Sequence, residues 1–261
     1  MPYEKLIVED RNRVRIVTIN RPEKLNALNR DVLRELQAVF SATRGDDSVR
    51  AVILTGAGEK AFVAGADIAE LAEKSPASAK EQTILGQDIL RHIENFPKPV
   101  VGAINGYALG GGCELALATH LRVAAATAKL GLPEVKLGII PGYGGTQRLP
   151  RLIGRARALE MILTGEPISA ETALQWGLVN KIAPTAKETV AVAEKLLEPI
   201  LERAPLALGA VLESVRRGRN VPQTEGMRIE ADLFALLYNT RDVKEGMTAF
   251  LEKRPAKFEG R

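Results

Sequence analysis

The amino-acid sequence of 261 residues predicts an α/β fold with a helical C-terminal part. Short apolar segments with strand-like patterns alternate with segments in which apolar residues recur at helical spacing. After Leu149 the pattern becomes mostly helical. Alternating strands and helices are typical of the α/β class. We therefore expect an α/β core over residues 1–200 and a helical C-terminal subdomain over residues 201–261.

The first elements are two predicted strands, over residues 6–8 and 13–19, joined by a turn at residues 10–12. The second strand alternates polar and apolar residues, as a half-buried strand does. Asn29 can cap a helix that Gly45 ends, because the apolar residues between them recur every three or four positions.

Three further strands are predicted in the core, over residues 51–54, 100–104 and 121–125, from short apolar runs. The second of them is preceded by a helix with apolar residues at Ile84, Ile89, Leu90 and Ile93. A short helix is expected to begin at Gly111, after a glycine-rich turn.

A polar, glycine-rich stretch over residues 142–149 predicts a flexible loop. Beyond this stretch, helical spacing predicts helices over residues 154–163, 170–175, 190–201, 206–216, 225–238 and 243–250. Trp176 is interpreted as a packing residue beside a helix end.

Composition excludes several classes of protein. With 46% hydrophobic and 26% charged residues, the chain is not intrinsically disordered as a whole. Cys113 is the single cysteine, so no disulfide framework forms, and two histidines with one cysteine argue against a structural zinc site. The longest uncharged run, residues 99–113, contains Asn105 and five glycines, so no membrane span is expected. The N-terminal residues contain no apolar signal region, and we expect a cytoplasmic protein.

The formal net charge of +4 suggests an anionic ligand. Nucleic acid is disfavoured, because no dense Lys/Arg stripe with interleaved aromatic residues is present. A small phosphorylated ligand agrees better with this mild excess of positive charge. Neither histidine lies near a nucleophile motif, and His92 is interpreted as a residue on a helix surface.

Two glycine-rich segments have features of a binding site. In residues 61–68, small residues let the backbone approach a ligand, and Asp67 can cap a helix through Leu71. In residues 105–115, three successive glycines precede a helix, where backbone N–H groups and the helix dipole favour a negatively charged oxygen. The alternative is that both segments are only tight turns that pack closely.

Two glutamates lie in apolar surroundings. Glu114 follows the glycines and is flanked by Cys113 and Leu115, and Glu134 follows Pro133 within a largely apolar stretch. A glutamate in the first turn of a helix is commonly a surface residue that complements the dipole. Burial instead raises the pKa of a carboxyl group toward the range that suits acid–base catalysis. We predict that both glutamates are partly buried and act as acid–base groups.

Residues 61–68, 105–115 and 132–149 resemble the signature segments of the enoyl-CoA hydratase (crotonase) family. The resemblance extends over nearly the whole chain, from residues 21–28 to residues 245–254. It implies an α/β fold built as a spiral of ββα repeats, with C-terminal helices that mediate oligomerisation. The implied assembly is a homohexamer, a dimer of trimers.

The resemblance also implies roles for individual residues. The backbone N–H groups of Ala66 and Gly111 would form an oxyanion hole for an acyl-CoA thioester, and Glu114 and Glu134 would be the two catalytic acids of a hydratase. Coenzyme A is then part of the substrate, and no separate cofactor or metal is expected. The residues that resemble the family's substrate- and CoA-binding positions are Lys24, Leu25, Ala64, Ala66, Asp67, Ile68 and Gly111.

The sequence departs from the family pattern at three positions. His120 and Ala126 replace residues that are Asp in many relatives, and Ala69 replaces a Lys of some hydratases. The residues along the acyl tail are expected within residues 71–90 and the C-terminal helices.

Three alternatives remain open at this point: an enoyl-CoA isomerase, another crotonase-type enzyme, and a non-catalytic protein that binds acyl-CoA or nucleic acid. The presence of both glutamates favours the hydratase.

Overall fold

The computed structural model describes residues 3–261, except for the side chain of Ala69. Within that range the strands are β1 (Leu6–Arg11), β2 (Val14–Ile19), β3 (Ala51–Gly56), β4 (Ala61–Val63), β5 (Val100–Ile104), β6 (Tyr107–Leu109), β7 (Leu121–Ala125), β8 (Lys129–Gly131), β9 (Ile168–Ser169) and β10 (Lys181–Ala183). The α-helices are α1 (Arg30–Arg44), α2 (Ile68–Ala72), α3 (Pro76–Glu94), α4 (Gly111–Ala118), α5 (Gly145–Ile153), α6 (Arg155–Thr164), α7 (Ala170–Gln175), α8 (Thr189–Leu201), α9 (Pro205–Gly218), α10 (Gln223–Leu237) and α11 (Arg241–Leu251). Short 3₁₀ helices cover Pro22–Lys24, Pro133–Leu137 and Ala186–Glu188.

The strands of the described residues form two sheets. One sheet has six strands in the order β1-β2-β3-β5-β7-β10, and the other has four in the order β4-β6-β8-β9. Neighbouring strands are parallel except for the pairs β1–β2 and β8–β9.

Consecutive strands are divided between the two sheets. β3, β5 and β7 lie in the larger sheet, and β4, β6 and β8, which follow them in the chain, lie in the smaller one. A helix comes after each such pair before the next pair begins. The chain therefore advances through both sheets together, one ββα unit per turn. The predicted α/β class and the spiral of ββα repeats are confirmed.

The first hairpin turns one residue later than predicted. β1 continues to Arg11, and the turn consists of Asn12 and Arg13, with φ values of 49° and 66°. Positive φ at both central residues is the conformation that joins two twisted strands with a two-residue loop. The expectation of a turn at residues 10–12 was wrong, because Arg11 pairs with Val14 and leaves only residues 12 and 13 for the turn.

Helix α1 forms as its sequence predicts. The Asn29 side chain accepts a hydrogen bond from the Val32 N–H at 3.0 Å, and Gly45 follows the last turn. The apolar face of α1 is buried, with Val32, Leu33, Leu36, Val39 and Phe40 in the core. Capping and amphipathic spacing therefore agree over the whole element.

The largest correction concerns residues 142–149, which were expected to be a loop. Helix α5 begins at Gly145, follows Gly144 with φ of 107°, and contains Pro150. Two glycines and a proline have low helix propensity, so this helix could not be predicted from propensity. Burial of Leu149 and Ile153 stabilises it instead. The short strands β4, β6, β8, β9 and β10 were also not predicted, because a strand of two or three residues is too short to show an alternating pattern.

His120 and Ala126, two residues that depart from the family pattern, form hydrogen bonds within the fold. The Nδ1 atom of His120 accepts a hydrogen bond from the Val100 N–H at 3.0 Å, and its Nε2 lies 3.2 Å from the Glu94 carbonyl oxygen. Burial lowers the pKa of His120 to about 4, so the ring is neutral and joins the end of α3 to β5. The N–H of Ala126 donates to the Ala183 carbonyl at 2.8 Å. The side chain of Ala69 lies outside the described residues.

His92 and Trp176 pack against the protein. The prediction that His92 lies on a helix surface was wrong: the ring is half-buried beside Phe96, and burial lowers its pKa. Trp176 follows α7 and packs on the core, with the Arg157 guanidinium 5.4 Å from its ring centre. The interpretation of Trp176 as a packing residue is confirmed.

The C-terminal helices contribute little to the core of the described chain. α8 packs on the larger sheet through Ala193 and Leu197, whereas α9 has no buried residue and α10 has one, Ile229. The boundary at residue 200 stays a prediction. In the part of the chain that the structure describes, every helix is too short or too polar to cross a bilayer.

Asn105 connects the ends of two neighbouring strands. Its buried amide donates to the carbonyl oxygens of Gly56 at 2.9 Å and Gly58 at 2.7 Å, and its Oδ1 accepts from the Gly56 N–H at 3.3 Å. These bonds fix where the chain leaves β3 and β5 for the smaller sheet.

We expect Asn105→Ala to lower the free energy of unfolding by about 2–4 kcal/mol, because buried carbonyl groups would lose their donors. Urea unfolding measures the change. Asn220→Ala, at an exposed asparagine, is the matched control and should stay within about 0.5 kcal/mol of the unsubstituted protein. Equal stability of both variants would contradict this role of Asn105.

Candidate active site

Three predicted site segments come together because each follows a strand of the smaller sheet. β4, β6 and β8 are parallel neighbours. Ala64–Ala66 follow β4, the glycines of α4 follow β6, and Glu134 follows β8. The carboxyl ends of parallel strands meet at one edge of a sheet, where ligand sites commonly form. The strand order thus places residues that are far apart in sequence at one edge.

A cavity of about 990 Å³ opens at this edge. Its walls include backbone and side chains from the three segments, from α3 and from the stretch before α5. The predicted site residues that line it are Ala64, Ala66, Ile68, Gly111, Glu114 and Glu134.

Gly111 is the first residue of α4, where N–H groups have no acceptor within the helix. Its φ is not positive; the positive value of 50° belongs to Gly110. A Cβ atom on Gly112 would overlap the Val63 carbonyl, so that glycine permits close packing. The three glycines therefore have different functions: a sharp turn at Gly110, an N–H at the cavity wall at Gly111, and close packing at Gly112.

The N–H of Ala66 is oriented by a parallel β-bridge between Leu28 and Ala66. In this bridge the Leu28 N–H donates to the Gly65 carbonyl at 2.8 Å, and the Asp67 N–H donates to the Leu28 carbonyl at 2.9 Å. The N–H of Ala66 therefore points away from Leu28. Ala66 and Gly111 both line the cavity, as an oxyanion hole formed by their N–H groups requires.

The Glu114 carboxyl group is almost completely buried, at 1% exposure. Its Oε1 accepts hydrogen bonds from the backbone N–H groups of Tyr143 and Gly145, both at 2.7 Å. Burial raises the pKa of Glu114 to about 7, partly offset by these two donors. The carboxyl group is thus held by one oxygen, and its pKa lies near neutrality.

Glu134 lies in the short 3₁₀ helix after β8 and is 9% exposed. A Cβ atom on Gly110 would lie 3.1 Å from its Oε1, so the carboxyl group lies directly over the turn before α4. Its Oε2 is buried and has no hydrogen-bond partner among the described residues. Burial raises the pKa of Glu134 to about 6.

The charge of Glu134 also raises the pKa of Glu114, as a smaller effect than burial. Two N–H donors can stabilise an ionised Glu114, and the Oε2 of Glu134 has no hydrogen-bond partner among the described residues. With pKa values raised to about 7 and about 6, both carboxyl groups can exchange a proton near neutral pH. The arrangement can therefore supply one base and one acid at neutral pH.

The loop that holds Glu114 is itself fixed by Arg148. The Nη1 of Arg148 donates to the Tyr143 carbonyl at 2.7 Å, and its Nε donates to the Glu94 carboxylate at 3.0 Å. Tyr143, Gly145 and Arg148 were not predicted as parts of the site. A Cβ on Gly145 would lie 3.0 Å from Glu114 Oε1, so the glycines at positions 144 and 145 were the available signal.

As the pH rises, Glu114→Gln is expected to become more stable relative to the unsubstituted protein. The pKa of Glu114 is raised from 4.5 to about 7 on folding, so the native state binds this proton more tightly and loses stability between those pH values. Glutamine keeps an oxygen for both N–H donors and does not ionise. The variant should gain about 3 kcal/mol relative to the unsubstituted protein between about pH 4 and about pH 8.

Denaturant unfolding at both pH values measures this gain. Glu198→Gln, at an exposed glutamate, is the control and should show no comparable gain. A Glu114→Gln variant whose relative stability does not change with pH would show that this carboxyl group titrates normally.

The structure does not bring every predicted binding residue to the cavity wall. Lys24, Leu25 and Asp67 are not among the described residues that line it. The Leu25 carbonyl accepts from the Ala64 N–H at 3.0 Å, which puts that turn beside the wall. Asp67 directly precedes α2, and its carboxylate lies 3.1 Å from the Arg21 guanidinium.

Some of the residues that were expected along the acyl tail line the cavity. Leu71, Ala79, Gln82 and Thr83 line the cavity, as predicted for residues 71–90. The C-terminal helices supply none of the described lining residues within this chain, and their part in binding the acyl tail stays a prediction.

Comparison with known proteins agrees with this geometry. A family model described as enoyl-CoA hydratase/isomerase matches residues 9–261. Crotonyl-CoA hydratase of Syntrophomonas wolfei is 46% identical over 258 residues, 99% of each chain. Short-chain-enoyl-CoA hydratase of Clostridium acetobutylicum is 44% identical, covering all of this chain and 98% of that protein. The crystal structure of an enoyl-CoA hydratase from Bacillus anthracis has a TM-score of 0.95 and 39% identity, covering 99% of this chain and 100% of that one. This chain belongs to the enoyl-CoA hydratase/isomerase family.

Proposed function

We propose that this protein is an enoyl-CoA hydratase that adds water reversibly to the double bond of a 2-enoyl-CoA and forms a 3-hydroxyacyl-CoA. The observation that carries the proposal is that two buried glutamates, Glu114 and Glu134, line one cavity with the N-terminus of α4. An isomerisation needs one group to move a proton, whereas hydration needs a base for water and an acid for carbon.

The thioester carbonyl is bound between the N–H groups of Ala66 and Gly111. Negative charge develops on this oxygen as the nucleophile adds to the β-carbon, and an enolate forms. Two fixed N–H donors stabilise that charge without reorganising. The helix dipole of α4 contributes in the same direction.

Glu114 is the base. With Oε1 held by the Tyr143 and Gly145 N–H groups, its other oxygen is free to accept a hydrogen bond from water. It takes one proton as the water oxygen bonds to the β-carbon. Glu134 is the acid and gives its proton to the α-carbon, so that the elements of one water molecule are added across the double bond. Dehydration is the reverse of these steps.

The substrate enters as its coenzyme A thioester, and no additional cofactor takes part in the proposal. Ala64 and Ile68 line the cavity that would hold the thioester. Lys24, Leu25 and Asp67 are proposed to contact the coenzyme A part of the substrate. Cytoplasmic location stays a prediction from the sequence.

The direct test is the reaction of purified protein with crotonyl-CoA. Hydration removes the conjugated double bond, so the near-ultraviolet absorbance of the enoyl thioester should fall and the product should gain the mass of water. In deuterated water, one deuterium should appear at the α-carbon. With a 3-enoyl-CoA, formation of the conjugated isomer without uptake of water would support an isomerase instead.

We also propose the homohexamer, built from two trimers. Its support is the apolar surface of the C-terminal helices, with exposed Val211, Val215, Met227, Phe234, Leu236, Phe250 and Leu251. So much exposed apolar surface is typical of an interface. Sedimentation at micromolar concentration should give the mass of six chains, whereas a stable monomer would overturn the proposal.

A further inference from the structure

A buried arginine lies against the loop whose N–H groups bind Glu114. Arg148 of α5 is 8% exposed, and its Nη1 donates to the Tyr143 carbonyl at 2.7 Å. A Cβ atom on Gly144 would overlap this Nη1, so the glycine lets the guanidinium approach the loop backbone. The carbonyl that Arg148 binds and the two N–H groups that bind Glu114 belong to residues 143–145. A shift of the guanidinium would therefore move both donors.

Glu94, the last residue of α3, holds this arginine on its other side. Its Oε2 accepts a hydrogen bond from the Arg148 Nε at 3.0 Å and lies 2.9 Å from the Arg148 Nη2. One edge of the guanidinium thus binds the carboxylate while Nη1 binds the loop. A guanidinium stays charged when it is buried, so loss of the Glu94 charge would leave this cation without the carboxylate that neutralises it. Glu94 therefore determines where Arg148 can lie.

The second oxygen of Glu94 contacts the C-terminal part of the chain. Its Oε1 accepts a hydrogen bond from the Arg219 Nη2 at 3.0 Å, and Arg219 directly follows α9. Since α9 has no buried residue among those described, apolar burial does little to fix this helix. The Glu94 carboxylate is thus shared between α5, which carries Arg148, and the end of α9.

We propose that Glu94 is a positioning residue for the catalytic base: through Arg148 it fixes the loop that holds Glu114, and it also joins this loop to the C-terminal helices. The inference rests on the proposed hydratase function, in which Glu114 activates water. Glu94 is not among the described residues that line the cavity, so it acts on the reaction through Arg148. Displacement of the base lowers turnover more than substrate affinity, because other groups bind the thioester.

The main experiment measures hydration of crotonyl-CoA by the full-length protein and by Glu94→Gln. Glutamine keeps the size of the side chain and removes the charge that holds Arg148. We expect kcat to fall at least about tenfold and KM to change less than about threefold. Exchange of the α-hydrogens of butyryl-CoA with deuterated water needs Glu134 but no attack by water. This exchange should stay within about threefold of its original rate.

The matched control is Asp88→Asn, which removes an exposed carboxylate of the same helix, paired with Arg91. It should leave kcat, KM and the exchange rate unchanged. In an Arg148→Met background, Glu94→Gln should lower kcat less than about twofold further, because residues that act as a unit are not additive. Glu94→Gln alone decides the question if Arg148→Met does not fold.

The connection to the C-terminal helices has its own pair of variants. Arg219→Gln should lower kcat about twofold to fivefold, the effect expected for a partly exposed ion pair. Arg217→Gln, which removes a cation paired with Glu213 within α9, should leave kcat unchanged. Equal kcat values in these two variants would remove the C-terminal helices from the inference.

The outcomes separate this inference from the proposed function. An unchanged kcat in Glu94→Gln would overturn the positioning role and leave the hydratase function intact. Equal losses of hydration and of α-hydrogen exchange would also overturn it, because they would indicate general damage and not a displaced base. If the unsubstituted protein did not hydrate crotonyl-CoA, the proposed function would fail, and this inference with it.

Discussion

Glu134→Gln is expected to lower kcat for hydration by at least about a hundredfold and to leave the affinity for acyl-CoA nearly unchanged. Removing a general acid or base typically costs this much. Glutamine preserves the size of the side chain but cannot give a proton to the α-carbon. Steady-state kinetics with crotonyl-CoA and calorimetric titration with butyryl-CoA, a saturated analogue, measure the two effects.

A second readout separates Glu134 from Glu114. Exchange of the α-hydrogens of butyryl-CoA with deuterated water needs an enolate and a group that moves the α-proton, but no attack by water. Glu134→Gln should abolish this exchange, and Glu114→Gln should retain it. Glu166→Gln, at an exposed glutamate paired with Lys136, is the control for both assays. A Glu134→Gln variant with more than a tenth of the original turnover would contradict the assignment.

Gly111→Pro is expected to lower kcat by about a hundredfold to a thousandfold, the usual cost of losing one oxyanion donor. Proline removes the backbone N–H and is otherwise tolerated at the first position of a helix. Gly111 is in that position in α4, and the preceding Gly110 has the backbone freedom that a residue before proline needs. The substitution thus deletes the proposed donor itself.

Gly111→Ala is the matched control, because it keeps the N–H and adds only a Cβ about 3.3 Å from the Tyr143 ring. It should retain at least ten times the turnover of Gly111→Pro. The melting temperature of both variants shows whether α4 still forms. In Gly112→Ala, by contrast, the Cβ overlaps the Val63 carbonyl, and we expect a lower melting temperature. Similar turnover of Gly111→Pro and Gly111→Ala would remove this N–H from the site.

Much of the fold was predictable because its signals are local. A few consecutive residues are enough to recognise the cap at Asn29, the apolar face of α1 and the continuous apolar strands β3, β5 and β7. Helix α5 was not predictable in this way, since Gly144, Gly145 and Pro150 oppose helix formation and only tertiary packing stabilises it.

Local sequence patterns were sufficient to show which residues could carry chemistry. Glycines before a helix and glutamates in apolar stretches are such patterns, and they identified Gly111, Glu114 and Glu134. How these groups are held depends on the tertiary fold. The donors that fix Glu114 come from residues 29 and 31 positions further along the chain, and the three site segments meet because three short parallel strands end at one edge. Side-chain periodicity reports only which face of its own element a residue occupies. Hydrogen bonds between distant segments depend on strand order, and three-residue strands leave no periodic trace of that order in the sequence.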